Sequence, residues 1–113
     1  MNKILHDIDF KDGNIIFDDF AINFFFPLLG QELTLKEDLL QVDYGNYLLD
    51  IGWYPEFEIN GKFIIQIISN FNWEKPIVKT KTKNLKSLKK AIKKAVDIIE
   101  SLKNKDFSKA EYM

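Results

Sequence analysis

The sequence predicts a single α+β domain: an antiparallel sheet of about four to six strands with one C-terminal amphipathic helix packed across a face. Three observations predict it. Gly and Asn residues punctuate the stretches with strand character. Lys62–Ser69 is apolar on both alternating faces, and from Asn84 onward apolar residues recur in steps of three and four. With 113 residues and a hydrophobic share of 46%, the chain is expected to form one domain, 1–113, with a real core.

Taken in order, Asp12-Gly13-Asn14 separates Ile8-Asp9-Phe10 from Ile15-Ile16-Phe17, which reads as a short hairpin or two extended pieces. Phe20–Leu29 is apolar without a clean period and is read as strand-like. Thr34-Leu35-Lys36-Glu37 has capping-box spacing and could open a helix through Leu40, or could run extended into Leu39–Tyr44. Gly45-Asn46 marks a turn before Tyr47–Tyr54. Asn60-Gly61, a strong hairpin signal, lies between Glu56–Ile59 and Lys62–Ser69. The last of these is rich in β-branched residues and fits a central strand covered on both sides. Asn70–Pro76 reads as a loop. Ile77–Thr82 follows, with Lys79 and Lys81 on one face, a usual protection of a sheet edge.

The helix is predicted from Asn84, a plausible N-cap, to Lys103. Leu85, Leu88, Ile92, Ala95, Val96, Ile99 and Leu102 form its apolar stripe, with Lys86, Lys90, Lys93 and Asp97 opposite. That stripe is expected to meet the strands Tyr47–Tyr54 and Lys62–Ser69. Residues 104–113 are polar and are expected to fray.

Charge is sorted along the chain. Met1–Asn60 carries 12 acidic residues and 3 lysines, a net of −9; Gly61–Met113 carries 13 lysines and 5 acids, a net of +8; together they give the −1 of the whole chain. Such asymmetry points to a charged partner. The plain alternative is two solvated faces of opposite sign. Every basic residue other than the lone His is Lys, so the planar bidentate fork that grips phosphates and guanine edges is missing. There is no Cys, which excludes disulfides and thiolate chemistry and fits a reducing cytoplasm. Met1–Asp12 has acids and no apolar core, so no signal peptide is expected. Phe20–Leu29, interrupted by Pro27, is half of the roughly 20 residues a bilayer span needs, so no membrane partner is expected.

Enzyme signatures are sparse. His6 is the only histidine, and no nucleophile–base set gathers around it in the sequence. The five glycines are scattered at turns and make no phosphate loop. Acids adjacent in sequence diverge on a strand, and on a helix they lie about 100° apart, so Asp18-Asp19 and Glu37-Asp38 are not constellations by themselves. Asp50, inside an apolar run, must find donors or shift its pKa if it is buried. A metal-dependent hydrolase would use a carboxylate cluster including Asp50; the favoured reading is a structural acid, with no catalytic residue, cofactor or metal.

Two binding readings compete. Lys79, Lys81 and Lys83, continued by Lys86, Lys89, Lys90, Lys93 and Lys94 near Phe71 and Trp73, could serve a small RNA- or single-strand-binding module. The missing Arg and the pI of about 5.8 weaken that reading. The segment Asp50-Ile-Gly-Trp-Tyr-Pro-Glu-Phe-Glu58 instead sets two large aromatics among acids. Trp53 and Tyr54 could fill the core, or could anchor an interface whose acids steer a basic partner.

That segment, followed by Asn60-Gly61-Lys-Phe, a long apolar strand, Asn72-Trp73-Glu74-Lys75-Pro76 and an amphipathic helix, resembles the small bacterial immunity proteins of contact-dependent growth inhibition and related polymorphic toxin systems. The likeness spans Leu48–Leu102. It implies a cytoplasmic, non-enzymatic toxin inhibitor that binds a cognate toxin C-terminal domain, expected to be a nuclease, stoichiometrically. Contact residues in such families vary with the toxin, so none carries over by motif. Charge and aromaticity nominate Asp18, Asp19, Glu37, Asp38, Asp43, Glu56 and Glu58 as partner-binding, with Trp53 and Tyr54 as anchors.

Overall fold

The computed structural model describes residue 5 and residues 7–111, with side chains through residue 106; His6 lies outside the described residues. Among the described residues, five strands make one antiparallel sheet and a single α-helix follows them, an α+β fold. The strands are β1 (Asn14–Asp18), β2 (Leu40–Asp43), β3 (Tyr47–Tyr54), β4 (Lys62–Ser69) and β5 (Val78–Thr82); the helix is α1 (Leu85–Glu111). The order across the sheet is β1-β2-β3-β4-β5, a simple meander.

Alternation decides which side of each strand is buried. Leu40 and Val42 of β2, Leu49, Ile51 and Trp53 of β3, and Phe63, Ile65 and Ile67 of β4 face one way and are buried. The helix packs on β3, β4 and β5 from this side through Leu88, Ile92, Ala95, Val96 and Ile99. Asn84 caps it, its Oδ1 accepting the Ser87 N–H at 2.8 Å. Leu5, Ile8, Phe10, Phe20, Ile22, Leu35 and Leu39 complete the core. Phe63 is its aromatic centre, meeting Trp53 edge-on at 4.9 Å between centroids and Phe20 stacked at 6.2 Å.

β4 is central, with Ile68 buried on its other side and Ile64 half-buried there, and β5 is a lysine-bearing edge. Three expectations need correction, and two open readings are decided. Residues 8–10 form no hairpin with β1: Ile8 and Phe10 turn into the core, the Phe10 carbonyl accepts the Tyr44 hydroxyl at 2.7 Å, and β1 pairs with β2. Residues 20–29 are not a strand, because Gln31 rather than a ladder partner satisfies part of their backbone. Of the two readings of residues 34–37, the helix start is ruled out. Thr34 closes a 3-10 turn (Glu32–Thr34) with its hydroxyl donating to the Gln31 carbonyl, and the chain then runs extended beside β3, where the Trp53 N–H donates to the Lys36 carbonyl at 2.8 Å.

Residues 56–59 are likewise no strand. β3 ends at Tyr54, opposite Lys62, and residues 55–61 form the connection, with Phe57 at φ 65°. Gly61 is required there for another reason than a two-residue turn: a Cβ would lie 2.5 Å from Trp53 Nε1 and 2.6 Å from the Tyr54 carbonyl oxygen. Finally, the helix extends past the expected boundary at Lys103, to Glu111. The Tyr47 hydroxyl donates to Asp106 Oδ2 at 2.5 Å, and the Lys103 ammonium sits 5.7 Å above the Tyr44 ring, so the extra turns are tied to the sheet.

Candidate partner-binding surface

In a meander whose spatial order equals its chain order, position along the sequence becomes position across the sheet. The charge sorting of the chain is thereby turned into a charge gradient in space. The side of the sheet away from the helix is the open face. Its middle row, in register, is Phe17, Gln41, Asp50, Gln66 and Lys79. Lys62 and Lys81 occupy the β4–β5 side of the same face, while acids gather on the β2–β3 side.

The acids gather because residues 35–39 lie against β3. Leu39 N–H donates to the Ile51 carbonyl at 3.0 Å, and Phe57 N–H donates to the Leu35 carbonyl at 2.7 Å. Gly52 permits this approach: a Cβ on it would sit 1.8 Å from the Glu37 carbonyl oxygen. Glu37 and Asp38 are thus brought beside Glu56, whose carboxylate accepts the Glu37 N–H at 3.4 Å. Tyr54, half-buried, feels all three. Its phenol is pushed up to about 12, first by burial and then by the negative fields of Asp50, Glu37, Asp38 and Glu56. Among the described residues, Glu37, Asp38, Glu56 and Glu58 form no ion pair, and all four are exposed.

The nominated residues therefore separate. Glu37, Asp38, Tyr54 and Glu56 come together, and Glu58 follows on the same loop. Asp18 and Asp19 reach the same end of the sheet, where Asp19 N–H donates to the Leu39 carbonyl at 2.8 Å. There Asp18 accepts the Phe20 N–H, and Asp19 pairs with Lys36 at 2.7 Å. Asp43 lies at the far end of β2, capping the β2–β3 turn through the Gly45 N–H. Trp53 does not serve as an exposed anchor: its side chain is 0% exposed, and its indole N–H donates to the Glu58 carbonyl at 2.7 Å. Strand parity explains the difference, since Trp53 and Tyr54 must point to opposite faces.

Asp50 is only 1% exposed although it belongs to the open face. Its two oxygens accept from Gln41 Nε2 at 3.0 Å and Gln66 Nε2 at 3.1 Å. Burial raises its pKa, the two amide bonds oppose that rise, and Asp38 adds to it. The arrangement is a satisfied structural acid flanked by neutral amides. Among the described residues, no three His, Cys, Asp or Glu side chains gather as a possible metal site, and no helix is long and apolar enough to cross a membrane.

The lysines do not make one surface. Those of β5 lie on the open face and those of α1 on the opposite side of the molecule. Two helix lysines are already engaged, Lys89 with Asp7 at 3.2 Å and Lys103 with Asp12. Part of the charge sorting is therefore internal neutralisation between the two halves of the chain, a possibility that residue counts alone do not suggest. Sequence reasoning also missed a solvent-facing cluster at Phe25, Phe26, Leu29 and Leu33. The signal was present in the aperiodic apolar run, which fits neither a strand nor a buried helix. No protein-family model, curated protein or solved structure matches this chain.

Proposed function

We propose that this protein is an immunity protein, a stoichiometric and non-catalytic inhibitor that binds a cognate toxin C-terminal domain in the cytoplasm. The observation that carries the reading is the group of exposed, uncompensated carboxylates Glu37, Asp38 and Glu56 around Tyr54. Like charges held together by the fold cost stability, and a basic partner relieves that cost while gaining a faster encounter. The resemblance of residues 48–102 to immunity proteins points the same way, and a nuclease with a basic substrate groove is the toxin class that such a surface suits.

The test is a titration of the purified chain with the toxin domain encoded beside its gene. A one-to-one complex is expected, with an association rate that falls steeply as salt rises. The variant E37Q/D38N/E56Q is expected to lower that rate about tenfold or more and to flatten its salt dependence. Unchanged rate and salt dependence in the variant would remove the acidic surface from the reading. The absence of any complex would remove the reading itself.

A further inference from the structure

Residues 23–33 form a loop with two sides. Phe24 and Leu28 pack inward on the core, Phe24 lying 6.1 Å from the Phe63 ring. Phe25 is 93% exposed, Phe26 66%, Leu29 72% and Leu33 75%. Contiguous exposed apolar side chains of this size are uncommon on a soluble monomer and mark places where something docks. The loop is held from within by one side chain. Gln31 Nε2 donates to the Asn23 and Pro27 carbonyls, each at 2.9 Å, and Gln31 Oε1 accepts the Asn23 N–H at 2.8 Å. A loop fixed by a buried-side anchor and a central amide displays its outer residues without further ordering, which spares entropy on binding.

The segment that carries this knob has one acid, Glu32, and no compensating base. Residues 20–35 contain no Lys, and the next one, Lys36, is paired with Asp19. Leu33 is four residues from Glu37 in sequence, at most about 14 Å of extended chain. The half-exposed Phe57, one residue from Glu56, is tied to the end of the same segment, its N–H bonded to the Leu35 carbonyl. Exposed apolar side chains on a loop that leads within that distance to unpaired carboxylates combine the two ingredients of a protein interface, and the sign of the charge selects a basic partner. The same sign disfavours an anionic lipid surface.

We infer that Phe25, Phe26, Leu29 and Leu33 form the apolar anchor of the docking surface, seating in a hollow of a basic protein whose cationic rim meets Glu37, Asp38 and Glu56. This inference rests on the toxin-inhibitor reading and supplies the anchor that buried Trp53 cannot. The test uses the full chain, the F25S/F26S/L29S variant and the Q31A variant, each titrated with the neighbouring toxin domain and with vesicles of three parts phosphatidylcholine to one of phosphatidylglycerol. The three serines replace exposed side chains, so circular dichroism and the urea midpoint are expected to stay near those of the parent. The triple variant is expected to bind the toxin domain at least about 100-fold more weakly, chiefly through faster dissociation. Q31A is expected to lose affinity through a loosened loop, visible as faster amide exchange at Asn23. Wild-type affinity in the triple variant overturns the knob while leaving the toxin-binding reading intact. No complex with the parent chain overturns both. Knob-dependent retention on the vesicles assigns the loop to a membrane and overturns the inference.

Discussion

The two faces of the sheet are built from the same strands and solve different problems. On the helix side, Leu49, Ile51, Trp53, Phe63, Ile65 and Ile67 are all 0–1% exposed and touch other apolar side chains. On the open side, the residues one step along the same strands are Leu48, Asp50, Gly52, Ile64, Gln66 and Ile68: a buried acid, a glycine, an amide, two half-covered aliphatics and one buried one. One face is optimised for packing; the other keeps polar groups in place next to carboxylates and lysines. The difference indicates that most of the packing stability resides on the helix side, and that the open face and the acidic end beside it are where the proposed partner would be read.

The largest expected effect breaks the packed face. Trp53→Ala removes a fully buried ring that meets Phe63 edge-on and leaves the Glu58 carbonyl without its indole donor; it is expected to destabilise the chain by about 3–5 kcal/mol in urea unfolding. Ile64→Ala, half-buried one step away in the paired strand, is expected to cost about 1 kcal/mol, roughly half of what the three carbons it removes are worth when fully buried. Equal losses at the two positions would erase the contrast between the faces.

Next in size is the hinge between the open face and the acidic end. Gly52→Ala places a methyl group against the Glu37 carbonyl oxygen, so residues 35–39 must lift away from β3. An overpacked backbone contact of this kind is expected to cost about 1–3 kcal/mol. It also moves Glu37 and Asp38 away from Tyr54. Because those carboxylates disfavour the phenolate, the Tyr54 pKa of about 12 is expected to fall toward its ordinary value, which a Cζ nuclear magnetic resonance titration reads directly. A destabilised variant with an unmoved Tyr54 would show that the acids are held there by something other than this contact.

The Asp50 row gives a smaller effect with a definite sign. Its native pKa lies above the ordinary 3.8, so in the interval between the two values the folded state holds a proton that the unfolded state has released. Stability then falls as pH rises from about 4 through the native pKa and stays at the lower level above it. Asp50→Asn removes the ionisation; one glutamine goes on donating to the remaining oxygen, and the other turns its amide so that its carbonyl accepts from the new NH2 group. The variant is expected to show a flatter stability profile between pH 4 and 7 and to be at least as stable as the parent at pH 7. Parallel profiles for the two proteins would mean that Asp50 titrates normally.

How much of this was legible beforehand depends on range. The helix stripe, its Asn84 cap, β3, β4 and the β5 edge follow from local periodicity, and all are present. The failures involve contacts distant in sequence. The Asn60-Gly61 pair looks like a hairpin turn, yet Gly61 is small because Trp53 and Tyr54 press on it. The Thr34–Glu37 spacing fits a helix start or an extended run, and only the backbone of β3, distant in sequence, decides between them. At the candidate surface, composition picked out the acids that converge on Tyr54, but charge alone could not separate them from Asp19, which Lys36 occupies, or from Asp43, which caps a turn. Phe25, Phe26 and Leu29 were visible as an apolar run, but their outward orientation depends on Gln31, whose role is set entirely by the fold.

The smallest effect tests how far the packed face extends. Tyr47 is the last core-side residue at the start of β3, and its hydroxyl reaches Asp106 beyond the end of the expected helix. The bond raises the Tyr47 pKa, with burial adding to it, so the neutral phenol is the donor throughout the physiological range. Tyr47→Phe keeps the ring and removes the donor, at an expected cost of up to about 1 kcal/mol. The loss is local: amide exchange is expected to accelerate in residues 104–111 and to stay unchanged around Leu88 and Ile92, which are held by the sheet through apolar contact alone. Exchange that accelerated evenly along α1 would mean that the helix unfolds as one unit. Its last turns would then be an integral part of the packed face, with no separate attachment through Asp106.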